Sequence, residues 1–155
     1  MFTTTRVRPY TLAKYGGKTV FHFGGPMTFK ATADQTGGAF GMVEYVAPVG
    51  AGTPPHIHTN EDEAFYILDG ELTVYSEGIE ETVGAGGFVF LPRNVRHHWV
   101  NHGPHAVRFL VLFTPGGFEG ALEQYAEIEA GVGELDEVDH EAGVHVLRSY
   151  GLQTV

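Results

Sequence analysis

His56 and His58 are two residues apart, Glu63 follows five residues later, and a third imidazole, His97, opens a later apolar stretch. On an extended strand, side chains at i and i+2 leave the same face, so His56 and His58 project together. Glu63 begins the run Ala64–Leu68 after the turn-like Thr59-Asn60-Glu61-Asp62, and a hairpin there would fold it back beside the histidines. Pro92-Arg93-Asn94-Val95-Arg96 leads into His97 at the start of another strand. Three imidazoles and one carboxylate converging inside a sheet make a ligand set for one divalent transition metal ion per chain. Iron, nickel, manganese, cobalt, copper and zinc all suit it, with one or two coordination positions left open. The chain has no cysteine, so any metal must be held by nitrogen and oxygen.

Nearby groups are weighed against this set. Glu61 and Asp62 fall in the turn and read as solvated. Glu44 is a lone carboxylate in an otherwise apolar strand, placed either at an exposed edge or on the pocket wall. His98 points away from the face of His97. His102 and His105 flank Gly103-Pro104 in a loop, and His22, His140 and His145 have no partner pattern and receive no role. By the two-residue period, Phe65 and Ile67 continue the face of Glu63, while Trp99 and Asn101 continue that of His97. Phe109 and Val111 join from the following strand. These residues are either ordinary core or, as a set, an apolar chamber for an aromatic or other hydrophobic organic substrate.

The elements that must position these groups are mostly short strands punctuated by Gly and Pro. Val20–Gly24, Met27–Ala33, Gly38–Pro48, Ala64–Leu68, Glu71–Ser76, Phe88–Leu91, His97–Asn101 and Ala106–Thr114 read as strands. Asp69-Gly70 between two of them reads as a tight hairpin turn. This density of strands predicts a closed barrel or sandwich. Beyond Thr114-Pro115-Gly116-Gly117 the period changes: Phe118, Leu122, Tyr125 and Ile128 predict an amphipathic helix. A second helix is expected over about 136–150, capped by Asp136, stopped by Gly151, with Val138, Ala142 and Val146 on one face and Gly143 as a weak point. These helices would cover an open end or side of the barrel. At 155 residues the chain is expected to be a single domain, with a barrel over about 18–115 and a helical tail over about 116–155.

Nineteen acidic residues against nine basic ones leave a net charge of −10, which argues against nucleic acid and against an anionic membrane surface as partners. No segment has the length and apolarity of a membrane span, and Met1–Arg8 lacks a secretory signal's apolar stretch, so a cytoplasmic location is expected.

Gly50, His56, His58, Glu63 and Gly70, followed by Gly86, Pro92, His97 and Asn101, match the paired motifs of the cupin superfamily. One departure is Asn94, where the family has a glycine; asparagine tolerates the left-handed conformation better than most residues. The resemblance implies an all-β, jelly-roll-like antiparallel barrel with C-terminal helices. It also implies a single ion bound by His56, His58, Glu63 and His97 at the barrel mouth. The surrounding segments Pro54–His58, Glu61–Tyr66, Phe90–Pro92 and Phe113–Glu119 are similar to single-domain cupins grouped with quercetin dioxygenases. That narrower likeness implies a metal-dependent dioxygenase acting on a flavonol-like or other enolisable small molecule, with Glu63 as ligand and general base. Similar small cupins also imply an isomerase, cyclase or decarboxylase as an alternative, and a non-catalytic small-molecule or metal-binding module as another. A homodimer is expected by the same resemblance.

Overall fold

The computed structural model describes residues 6–132 and 136–155. Eleven strands and three helices follow one another as β1 (Lys18–His22), β2 (Gly25–Ala31), α1 (Ala33–Thr36), β3 (Gly41–Ala47), β4 (His56–His58) and β5 (Asp62–Asp69). Then come β6 (Glu71–Ser76), β7 (Ile79–Gly84), β8 (Phe88–Leu91), β9 (His97–Val100), β10 (Val107–Thr114), α2 (Glu119–Val132), α3 (Glu137–Ser149) and β11 (Leu152–Thr154). The strands form two antiparallel sheets, ordered β1-β2-β3-β10-β5-β8 and β11-β4-β9-β6-β7. The arrangement is the expected jelly roll, with the two sheets facing each other rather than hydrogen-bonded into a closed barrel.

Strict alternation explains the layering. In β2, β3 and β10 every second side chain is buried, so Met27, Phe29, Val43, Tyr45, Phe109, Val111 and Phe113 all enter the core from the six-stranded sheet. Leu72, Val74 and Trp99 meet them from the other sheet. Phe109 makes edge contacts with Tyr45, Phe65 and Trp99 at centroid separations of 5.3–5.8 Å, the favoured geometry for buried rings.

Both expected hairpins are corrected. Strands β5 and β6, joined at Asp69-Gly70, lie in different sheets: β5 pairs with β10 and β8, and β6 with β7 and β9. Gly70 turns a corner between layers at φ +82°, where a Cβ would crowd the Ala106 carbonyl and Val107 Cα at 3.0 Å. Strand β6 forms its hairpin with β7 instead, through Glu77-Gly78. Its second strand carries exposed Glu80 and Glu81 and lacks alternating hydrophobicity, because it is a sheet edge where charge discourages further pairing. Likewise Thr59–Glu61 does not join a hairpin, since β4 and β5 belong to opposite sheets and the chain crosses between them.

Helices α2 and α3 pack on each other and on β1 and β11. Phe118 and Tyr125 are buried, as the helical period requires. Asp136 caps α3, accepting from the Asp139 N–H while Asp139 Oδ2 accepts from the Asp136 N–H. Of the expected inner face of α3, Ala142 is exposed and the side chain of Val138 lies outside the described residues; Val146 and Leu147 pack on the core. Gly143 is the point of closest approach, where any Cβ would overlap the Tyr125 ring, so the residue that weakens the helix by propensity is the one its packing demands. Among the described residues no helix is long and apolar enough to cross a membrane.

Candidate metal centre

His56, His58, Glu63 and His97 are all buried, and they come together with one ligand-type atom from each within 4.8 Å of every other. The histidines belong to the five-stranded sheet. His56 and His58 share a face of β4, and His56 pairs in register with His97 on β9. Glu63 approaches from β5 in the opposite sheet, so the group forms only when the two layers pack. Glu63 Oε2 lies 3.0 Å from His97 Nε2 and 3.6 Å from His58 Nε2.

Each imidazole is aimed by its other nitrogen. His56 Nδ1–H donates to Pro54 O at 2.8 Å, His97 Nδ1–H to Val95 O at 3.0 Å, and His58 Nδ1–H to Glu61 Oε1 at 2.5 Å. Nδ1 is therefore occupied on all three rings, and Nε2 is the nitrogen left for a ligand bond. Bonds of about 2.1 Å place neighbouring donors about 3.0–3.4 Å apart, and the Glu63 separations bracket that range. The donor set fits a nitrogen- and oxygen-bound divalent ion.

Electrostatics prepares the ligands unequally. Burial, opposed by Glu63, holds His56 down to about 4, so its imidazole is neutral across the physiological range. Burial also disfavours charge on His58, but Glu63 and Glu61 outweigh it and raise His58 above its ordinary 6.5. Burial would raise Glu63, yet the charges of His58, His97 and His56 and the hydrogen bond to His97 hold it below its ordinary 4.5.

Glu61 corrects the expectation of a solvated carboxylate: it is 4% exposed and acts as the orienting partner of His58. Its i, i−3 spacing from His58 was the signal available in the sequence. Asp62 does not compete for an ion, because it accepts from the backbone and guanidinium of Arg93 at 2.9–3.3 Å. Asn94 adopts φ +65°, the left-handed conformation that its place in the motif requires, and its N–H donates to His58 O. Asn101 is fully buried as a structural knot, donating to Ala47 O and His105 O and accepting from the Gly103 N–H. Glu44 is not on the cavity wall beside the tetrad; it lies on the outer face of β3, paired with Arg108 at 3.2 Å.

Three of the tetrad, His56, His58 and Glu63, line a cavity of about 360 Å³. Trp99, Phe109 and Val111 are on its wall. Phe65 and Ile67 are not: both are buried in the core behind the Phe109 layer. They share the face of Glu63 but lie deeper between the sheets, so parity alone could not separate core from chamber. Sequence reading missed the helical side of the wall, where Phe118, just before α2, and Leu122 and Tyr125 of α2 line the cavity with Val144 and Leu147 of α3. Phe118 stands edge-on to the His58 ring at 4.4 Å. His22 and His140, given no role above, also line this side.

Comparison with known proteins bears directly on this arrangement. A family model described as "Cupin domain" matches residues 42–113, which contain the whole tetrad. These residues of the chain carry a cupin domain. Over 89 residues this cupin is 30% identical to quercetin 2,3-dioxygenase of Bacillus subtilis, a match covering 57% of the chain but only 26% of that relative. Among solved structures it resembles KdgF from a Halomonas species with a TM-score of 0.63, at 19% identity over 73% of this chain and 99% of that one. It also resembles the polyketide cyclase RemF of Streptomyces resistomycificus, with a TM-score of 0.58 at 24% identity over 69% and 80% of the two chains. Likenesses at this identity establish the shared fold. The dioxygenase and the cyclase among them carry out different reactions, so the reaction of this chain has to be argued from the site.

Proposed function

We propose that this cupin is a metal-dependent dioxygenase resembling quercetin dioxygenases, acting on a flavonol-like or other enolisable aromatic small molecule. One observation carries the reading: a buried three-histidine, one-carboxylate set opens onto an apolar, aromatic-walled cavity. The name of the Bacillus subtilis relative supports it.

His56, His58, Glu63 and His97 would hold the ion, and when bound it supplies Lewis acidity and a template for a substrate oxygen. Glu63 accepts the proton of the substrate's acidic hydroxyl. Its carboxyl is held below the ordinary range by the histidines, so it is ionised and ready at neutral pH. The neutral His56 keeps a lone pair available without first losing a proton. Trp99, Phe109, Val111 and Phe118 exclude water and clamp an aromatic ring by its faces and edges. Glu61 fixes the plane of the His58 ring throughout.

The test is elemental analysis of the purified protein beside His97→Ala, followed by oxygen uptake with a flavonol. One equivalent of a transition metal that is lost in the variant, together with oxygen consumption, is the expected result. Bound metal without oxygen uptake, but with anaerobic isomerisation, cyclisation or decarboxylation of an enolisable substrate, would replace the dioxygenase by that chemistry. No metal after reconstitution would overturn the reading.

A further inference from the structure

His22 is 1% exposed and lines the same cavity as the tetrad, yet it belongs to β1, far from both motifs. Its Nδ1–H donates to Glu129 Oε2 of α2 at 2.6 Å, which in the neutral ring leaves Nε2 as a bare acceptor. Nε2 is the one buried side-chain nitrogen or oxygen among the described residues that has no hydrogen-bond partner. The other polar groups on this side are engaged. Tyr125 Oη and His140 Nδ1 share a hydrogen bond, Arg148 Nη2 donates to Thr154 Oγ1, and Thr53 Oγ1 accepts from the Trp99 N–H. A buried acceptor without a partner is costly to keep, and fastening α2 to β1 does not require it, since Lys18 and Glu123 already pair across that interface.

We propose that His22, held by Glu129, is a specificity-determining acceptor for a second hydroxyl, phenolic or enolic, on the end of an aromatic substrate remote from the tetrad. This rests on the reading of the cavity as an aromatic-substrate site. The two ends belong to backbone rows of the six-stranded sheet far enough apart to suit a multi-ring molecule. Tyr45, whose hydroxyl donates to His22 O and Phe23 O, lies in the row of Phe109 and Ile67, four residues along β5 from the row of Glu63. At about 3.3 Å per residue that is about 13 Å. The ring of Phe23 covers His22 at a centroid separation of 3.7 Å and also lines the cavity. Phe23 sits at the β1–β2 turn with φ +48°, an uncommon conformation for a bulky residue and one associated with functional positions. Turning this ring aside opens Nε2 to the ligand.

The test uses protein reconstituted with zinc, which is redox-inert, and two probes of nearly equal size: 3-hydroxyflavone, and the same compound carrying a hydroxyl at the far end of its pendant ring. Wild type is expected to bind the dihydroxy probe about tenfold tighter or more, because a site built to accept a hydroxyl discriminates against its absence. His22→Phe should bring the ratio of the two affinities to about one, and Glu129→Gln should reduce it part-way. A merely structural pair would move both affinities together. Equal affinities in wild type, or a preference that survives His22→Phe, overturns the inference and leaves the proposed reaction standing. If neither probe binds while zinc is retained, the aromatic-substrate reading falls and this inference with it. Should His22→Phe fail to fold, ¹⁵N NMR of wild-type His22 decides: Nε2 is expected to shift with the dihydroxy probe alone, and an unchanged signal overturns the inference.

Discussion

The two ends of the cavity hold histidines in opposite ways. At the tetrad, two of the three imidazoles are aimed by backbone carbonyls only two residues upstream, Pro54 O and Val95 O, so their orientation is built into the strand entries. At the helical end, His22 is held by a side chain 107 residues away, and that grip exists only when α2 lies on β1. The sheet end brings four donor atoms to one point. The helical end brings single, separate polar contacts to an otherwise apolar wall. Convergent donors fixed by local backbone suit a small ion with strict geometry, whereas dispersed contacts set by packing suit a larger organic molecule.

Mutations at the two ends should therefore separate. The largest expected effect is that of His97→Ala, which should lower metal content from one equivalent to near zero, while His22→Phe leaves it unchanged; elemental analysis of both reads the contrast. Glu61→Gln removes the carboxylate that orients His58 and should weaken metal affinity about 10–100-fold, measured by competition with a chelator. Protons compete with metal for His58, whose pKa is raised above 6.5, so affinity should fall as pH is lowered through the neutral range and level off above it. His56, held near 4, adds to the loss only at much lower pH. In Glu61→Gln the midpoint of that profile should move down, since one of the carboxylates raising it is gone. Gly143→Ala drives a methyl into the Tyr125 ring and should cost about 1–3 kcal/mol in thermal or denaturant unfolding without changing metal stoichiometry. Smallest is Asp136→Ala, which removes the α3 cap at about 1 kcal/mol.

Legibility in the sequence followed the same divide. The ligand face of β4 was readable because a period of two fixes it, and Asn94 because its left-handed conformation is one that few side chains tolerate. Which strands pair was not readable at the Asp69-Gly70 step, since a dipeptide that permits positive φ serves a sheet-crossing corner as well as a hairpin. Strand β7 escaped notice because an edge strand with both faces exposed has no alternation to show. Glu61 looked solvated because charge in a turn usually is, and only the crossing between sheets buries it against His58. His22 could not be found at all: its partner and its cavity come from helices whose docking no local pattern encodes.

Strand β11 draws these threads into the order of synthesis. Leu152 and Thr154 pair with His58 and His56, bracing a three-residue strand that meets β9 through a single register pair, His56 with His97. On the ribosome, all four tetrad residues emerge well before the segment that clasps two of them. A nascent chain can thus display the donors early, but β4 gains its β11 partner only after residue 154 has cleared the exit tunnel. The brace on the two histidines of β4 is then one of the last features acquired in the maturation of this part of the molecule.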